Sequence, residues 1–337
     1  MHQPRGESQA SGRRDPVRIG VVGLGQFGRL HTATVAGVAE AELTLMVDPN
    51  AAARAAAQAA HPGVSVVADL ATALQDDTVE AWIVASSTAS HVPLAQQILQ
   101  AGRPVLVEKP LAEDLAAAEQ LAPQVAADSR NFMMGHVALF NTEFRALAEE
   151  CRRRRGIRFM NLVRHRPVGT AQAFPGENPF HLTMVHDLYL VAALMEGEEP
   201  VELRARAGFR TGEVCDLALA ELRWADGAWA ALTASFLTPD SMGADGFDRI
   251  EVFGADWAAR ASVNPRPLQV WDATTTQHPL TLEVSTAAGA PVGMLAEQLR
   301  AFCRMVRGAE PPPSGARYAD ALRVQRWLKE LCHAAGL

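Results

Sequence analysis

Three short stretches carry side chains whose types and spacing could do chemistry. The first is Gly23-Leu24-Gly25-Gln26-Phe27-Gly28. Such a glycine run between a buried strand and a helix allows a tight turn, close backbone approach to a pyrophosphate, and close packing of helix on strand. The helix N-terminus then offers unpaired N–H groups and a positive dipole end to the phosphates. Asp48 follows Gly28 by 20 residues, at the end of the next strand, where a carboxylate would accept hydrogen bonds from adenosine ribose hydroxyls. Gly23, Gly25, Gln26, Phe27, Gly28 and Asp48 are therefore the expected dinucleotide contacts. Asp48 would repel a 2′-phosphate, which favours NAD over NADP, although Arg54 pulls the other way.

The second stretch is Glu108-Lys109-Pro110, at the C-terminal end of the fifth strand. Open parallel sheets bind ligands outside the carboxyl ends of their strands. A lysine there can hydrogen-bond a substrate hydroxyl, and a neighbouring nicotinamide cation would lower its pKa. The competing reading is a surface lysine before a turn proline. The third stretch is Val185-His186-Asp187-Leu188, near the start of a helix in the second half. A histidine exchanges protons near neutral pH and suits a general base in alcohol oxidation, unless it merely caps or packs the helix. His181 is near enough in sequence to compete for the role.

These residues need elements to hold them. Residues 1–15 read as a polar, disordered tail. From Val17, short apolar runs at 17–25, 41–49, 64–69, 79–87, 103–110 and 131–139 alternate with helix candidates at 26–38, 50–60, 69–75, 90–101 and 113–127. Asp69 and Ser90 suit N-caps, and Glu113 and Asp114 a first turn. Buried strands alternating with helices predict a doubly wound parallel sheet over residues 16–135. After a helix at 142–155 the rhythm changes to consecutive strands at 157–166, 201–209, 213–225, 228–237, 249–255, 258–263 and 267–273, with a hairpin turn at Asp226-Gly227. Residues 136–337 thus read as an α+β substrate and oligomerisation domain around an open, mainly antiparallel sheet. One helix is inserted at 183–196. Two more close the chain at 292–307 and 317–335, able to pack back on the first domain.

With 337 residues, the chain has length for about two domains. Thirty-one Lys and Arg against 38 Asp and Glu leave a net charge of −7, which disfavours nucleic acid or an anionic membrane as partner. No run of some twenty apolar residues offers a membrane span, and the polar start lacks the apolar core of a secretory signal. Cys151, Cys215, Cys303 and Cys332 are widely spaced, with no metal-ligand pattern. No metal and a reducing cytoplasm are the simplest expectations. The run Arg152–Arg155 suits a helix C-terminus or, alternatively, an anion or partner patch. Arg164 and Arg166 fall on one face of a strand and His165 on the other. They could meet an anionic substrate or form a solvated face. Leu217, Leu219 and Glu221 alternate with Ala218, Ala220 and Leu222, so both sheet faces are partly apolar and the outer one calls for a second copy of the chain.

Together these features resemble the glucose–fructose oxidoreductase, inositol dehydrogenase and MocA family of sugar-type dehydrogenases. The likeness runs from the glycine turn through SSTASH (86–91), VEKPLAED (107–114) and MGHVALFN (134–141) to HRPVG (165–169) and VHDLYLV (185–191). It implies a Rossmann domain, an α+β domain whose sheet mediates dimers or tetramers, a cis peptide before Pro110, and Lys109 near nicotinamide and substrate. It further implies Ser87, His91 and Glu108 beside the cofactor, and His136, Arg166 and His181 as candidates for a polyhydroxy substrate. MGHVALFN and HRPVG look like the branch that oxidises nucleotide-linked amino sugars. Two positions depart from the family. Leu182 stands four residues before His186, where a carboxylate is common. Leu139 stands where many relatives carry arginine. The reading is an NAD-dependent dehydrogenase of a sugar, cyclitol or nucleotide sugar, with His186 as base and Lys109 polarising the oxygen. Its rival is a non-catalytic dinucleotide-binding sensor on the same scaffold.

Overall fold

The computed structural model describes residues 15–211, 214–242, 248–262, 270–271, 276–277 and 291–337. The tail assigned to residues 1–15 lies outside them apart from Asp15. The first sheet comprises β1 (Val17–Val22), β2 (Ala41–Val47), β3 (Ser65–Val67), β4 (Ala81–Val84), β5 (Val105–Glu108) and β6 (Phe132–Gly135). All its pairings are parallel, in the order β3-β2-β1-β4-β5-β6. The order reverses direction at β1, and ligands of such sheets bind in the crevice outside the strand ends there.

Helices α1 (Gln26–Gly37), α2 (Ala51–Ala60), α3 (Leu70–Ala73), α4 (Thr88–Gln100) and α5 (Leu115–Glu119) link these strands. β1, β4 and β5 are buried almost throughout, which explains their unbroken apolar sequence. Two helices differ from expectation. α4 starts at Thr88, with Ser87 at its N-cap position, so Ser90 is not the cap. α5 stops at Glu119 and continues as turns, since Pro123 cannot sustain a helix through 113–127. Asp114 caps it through the Ala117 N–H.

After α6 (Thr142–Arg154), the second sheet collects β7 (Phe159–Pro167), β8 (Glu202–Thr211), β9 (Val214–Arg223), β10 (Trp229–Thr238), β11 (Arg249–Phe253) and β12 (Ala258–Ala261). Its order is β12-β11-β7-β10-β9-β8, antiparallel except where β10 runs parallel to β7. Between β7 and β8 come the short helix α7 (Thr170–Ala173), a π-helical turn (Phe180–Met184) and α8 (Val185–Leu194). Helices α9 (Met294–Val306) and α10 (Tyr318–Ala334) close the chain. α9 contacts α1 and β2, while α10 contacts α8, β8, α5 and β6. Of the strand expected at 267–273, residues 270–271 pair with 276–277 and the rest lie outside the described residues, as do positions 213 and 263.

Alternation decides what the second sheet hides. Ala218, Ala220, Leu222, Ala230 and Leu232 are buried. On the opposite face Phe159, Leu219, Trp229 and Phe253 are each 36–40% exposed. That face is mixed rather than purely apolar: Arg223 lies over the Trp229 ring, and Glu221 is exposed beside them.

Candidate active site

The glycine turn follows directly from β1. Gly23 has a φ of +88°, and a Cβ there would fall 2.6 Å from the Ser86 backbone nitrogen. At Gly28 a Cβ would lie 1.8 Å from the Gly23 carbonyl oxygen, so only hydrogen lets α1 start this close to the strand. Around Gly25 there is open space within 4 Å, and no side chain caps α1. Gly25, Gln26 and Phe27 are exposed, leaving the first backbone N–H groups of a twelve-residue helix open to an anion. Asp48 accepts from the Leu24 N–H at 2.7 Å and from the Asn50 N–H at 2.8 Å, so it braces the turn from beneath. Arg54 donates to the carbonyls of Asp48 and Pro49, which ties its guanidinium beside the same strand end. Cradle, helix end and carboxylate fit a dinucleotide.

The Glu108–Pro110 turn is held from several sides. Glu108 is buried, and its Oε1 meets His31 Nε2 of α1 at 2.8 Å while Oε2 accepts the Lys109 N–H. The Lys109–Pro110 peptide is cis, as the family likeness implies. His91 is buried too, its ring nitrogens 2.8 Å from the Pro110 carbonyl and 3.1 Å from that of Ser86. Glu108 and His91, expected beside the cofactor, thus spend their polar atoms fastening the loop. Ser87 is exposed at the start of α4, its carbonyl accepting from the Ser90 hydroxyl.

Opposite this turn stand two histidines. His136, just past β6, is wholly buried, and its Nε2 lies 3.0 Å from Nδ1 of half-buried His186 on α8. The His136 ring stacks on Tyr189 with centroids 4.5 Å apart. Burial drives the pKa of both imidazoles well below the usual histidine value, and the charges of Lys109 and Arg164 lower both further. Lys109 is half-buried. Its own pKa is lowered by desolvation, against the opposing pull of Glu108 and Glu177. Two neutral imidazoles within electrostatic reach of Lys109 can accept a proton.

Beneath His186 lies a buried ion network. Arg164 donates to Asp187 and to Asp248, each at 2.8 Å, and Arg166 donates to both oxygens of Asp248. Arg164 therefore does not form a solvated face, since its strand turns this side toward α8. Arg166 shares the face, as the alternation predicts, and its guanidinium engages Asp248. His181 is exposed, with Nε2 3.4 Å from Cys332 Sγ of α10. It shares with Lys109 the nearby charge of Glu177. Leu139 is buried, with its side chain against Gly315. Arg152, Arg153 and Arg154 pair with Glu149 and Glu150 of their own helix.

Reading the sequence missed the His31–Glu108 contact, the His136–His186 contact and the Arg164–Asp187–Asp248 network. Asp187 inside the apolar run VHDLYLVAAL was a usable signal, because a carboxylate there requires a buried cation. Among the described residues no group of three or more His, Cys, Asp or Glu could hold a metal.

The parallel sheet and its glycine turn define a dinucleotide-binding domain of Rossmann type. Residues 17–136 match the family model described as an oxidoreductase family with an NAD-binding Rossmann fold, and residues 157–259 match the GFO/IDH/MocA C-terminal domain. An inositol 2-dehydrogenase of Paenarthrobacter aurescens is 30% identical over 233 residues, covering 64% of this chain and 68% of that one. The chain belongs to this family, and residues 17–136 match its NAD-binding domain. An inositol 2-dehydrogenase of Leifsonia xyli subsp. xyli is 38% identical over 135 residues, so the match spans only 40% of either chain. The solved UDP-N-acetylglucosamine 3-dehydrogenase of Acidithiobacillus ferrooxidans shares the fold, with a TM-score of 0.74 at 23% identity over 94% of this chain and 97% of that one.

Proposed function

We propose that the chain is an NAD-dependent dehydrogenase that oxidises a secondary alcohol carbon of a sugar, cyclitol or nucleotide sugar. The observation that carries this reading is the glycine cradle with Asp48 beneath it, together with the 3.0 Å contact between His136 and His186. The backbone N–H groups from Gly25 to Gly28 would hold the pyrophosphate, and Asp48 the adenosine ribose. When bound, the dinucleotide supplies the hydride acceptor. Lys109 orients and polarises the substrate hydroxyl, and His186 takes its proton at Nε2. Arg166 and His181 line the substrate side. Ser87, at the open end of β4, borders the cofactor.

Inositol 2-dehydrogenases among the relatives favour a cyclitol, and the nucleotide-sugar enzyme of the same fold is the second option. Screening polyols and nucleotide sugars for NADH formation tests the reading. Tight NAD binding with no turnover of any of them would favour the sensor instead. The domain division at residues 135 and 136 goes with this reading, as does assembly of two or four copies through the exposed face of the second sheet. No helix among the described residues is long and apolar enough to cross a membrane. All four cysteines are free and buried, which supports a reducing compartment such as the cytoplasm.

A further inference from the structure

We propose that His136 is the positioning residue of His186: the two imidazoles share one proton, and His136 thereby turns the Nε2 lone pair of His186 toward the substrate hydroxyl. The inference rests on the reading of His186 as proton acceptor and deepens it. At 3.0 Å between Nε2 of His136 and Nδ1 of His186, one nitrogen must carry the hydrogen and the other accept it. His136 cannot swing away. It is fully buried, its ring lies flat on Tyr189, and its backbone N–H bonds the Met134 carbonyl at 2.9 Å. Nδ1 of His186 is therefore spoken for, and Nε2 of this half-buried ring is the nitrogen left for a substrate.

The position four residues before His186 supplies no acceptor, because Leu182 stands there. His136, just past β6, supplies one instead. In the proton step the substrate O–H bond breaks, its electron pair stays on oxygen, and the proton bonds to His186 Nε2. The Nδ1–H of His186 is then shared with His136 Nε2, which spreads the new positive charge over two rings, one of them stacked on Tyr189. His136 Nδ1 has no partner among the described residues. For His186 Nε2 to accept a proton, the shared hydrogen sits on His186 Nδ1 and His136 Nε2 receives it, so His136 carries its own hydrogen at Nδ1.

The groups facing this pair are Lys109 from the β5 turn, Arg164 and Arg166 from β7, and Asp187 and Tyr189 from α8 itself. The three cations each depress His186, and His136 does so as well.

The test compares His136→Leu, His136→Gln and His186→Ala in the full chain. With 15N-labelled histidine, the unmodified protein should show a low-field ring proton coupled to both histidines, absent from His136→Leu and from His186→Ala. With myo-inositol and NAD, His136→Leu should lose turnover by about 100-fold, the usual cost of a misaligned reacting group, with little change in KM. His136→Gln should recover most of it, because its amide can accept or donate at similar reach. Independent titration of the two rings without a shared proton, or full turnover in His136→Leu, would overturn the proposal. Full turnover in His186→Ala would instead defeat the reading of His186 as base. The spectrum decides the pairing whether or not myo-inositol is turned over.

Discussion

His31 Nε2 on α1 lies 2.8 Å from Glu108 Oε1 at the end of β5, with both side chains buried. Helix α1, which begins at the pyrophosphate cradle, therefore also grips the turn that carries Lys109. His31→Leu would leave the Glu108 carboxyl buried with one oxygen unmatched, at a cost of about 1–3 kcal/mol. The urea midpoint should fall accordingly, and turnover should drop more than NAD affinity. An unchanged midpoint would mean that Glu108 finds another partner.

Lys109 and His186 should matter to turnover and hardly at all to cofactor affinity, since neither borders the glycine turn. General acid–base groups contribute about 10²–10⁴-fold. Lys109→Ala and His186→Ala should each lower kcat by that order, with NAD dissociation constants unchanged. His181→Ala should do much less, given its contact with Cys332. Loss in His181→Ala alongside full activity in His186→Ala would move the base to the other histidine.

Asp48 braces Leu24 and Asn50, and in the proposed site its charge would repel a 2′-phosphate. Hydrogen bonds to a charged group are worth about 1.5–3 kcal/mol, so Asp48→Ala should weaken NAD binding by roughly tenfold or more. NADP should lose less, and the gap between the cofactors should narrow. Fluorescence titration of both cofactors measures this. Tighter NADP than NAD binding by the unmodified chain would refute it.

Acid should destabilise the fold through its histidine pair. In the folded chain burial holds His136 and His186 well below their ordinary pKa, whereas the unfolded chain takes up both protons near pH 6.5. Below that pH the unfolded state binds more protons, so stability falls as pH drops toward the folded values. The melting temperature should decline between about pH 6.5 and 5. His136→Gln should flatten the decline, because His61, His165 and His181 are common to both proteins. Equal slopes would assign the acid sensitivity to those other groups.

The exposed face of the second sheet should join two copies of the chain. Phe159 stacks near Phe253, and Trp229 lies in register between Phe159 and Arg223. Sedimentation at micromolar concentration should find a dimer or tetramer, and Leu219→Arg with Trp229→Glu should yield a monomer. A monomeric unmodified chain would exclude the assembly.

Local pattern was enough to read the glycine turn, the order of strands and helices in the first sheet, and the change to antiparallel pairing after residue 156. These features depend on periodicity and on residues within a few positions of each other. Asp48 could be placed because the strand that carries it has a set length. The alternation of β7 likewise put Arg164 and Arg166 on one side, but nothing nearby in sequence said which side faces α8. Tertiary packing alone decided that Arg164 is buried between Asp187 and Asp248, that His31 reaches Glu108 across 77 positions, and that His136 meets His186 across 50. Each joins elements distant along the chain, and burial pays for such pairs only when both partners leave water together. A single side chain's type cannot reveal that, because its charge and tautomer are set by a neighbour that the fold supplies.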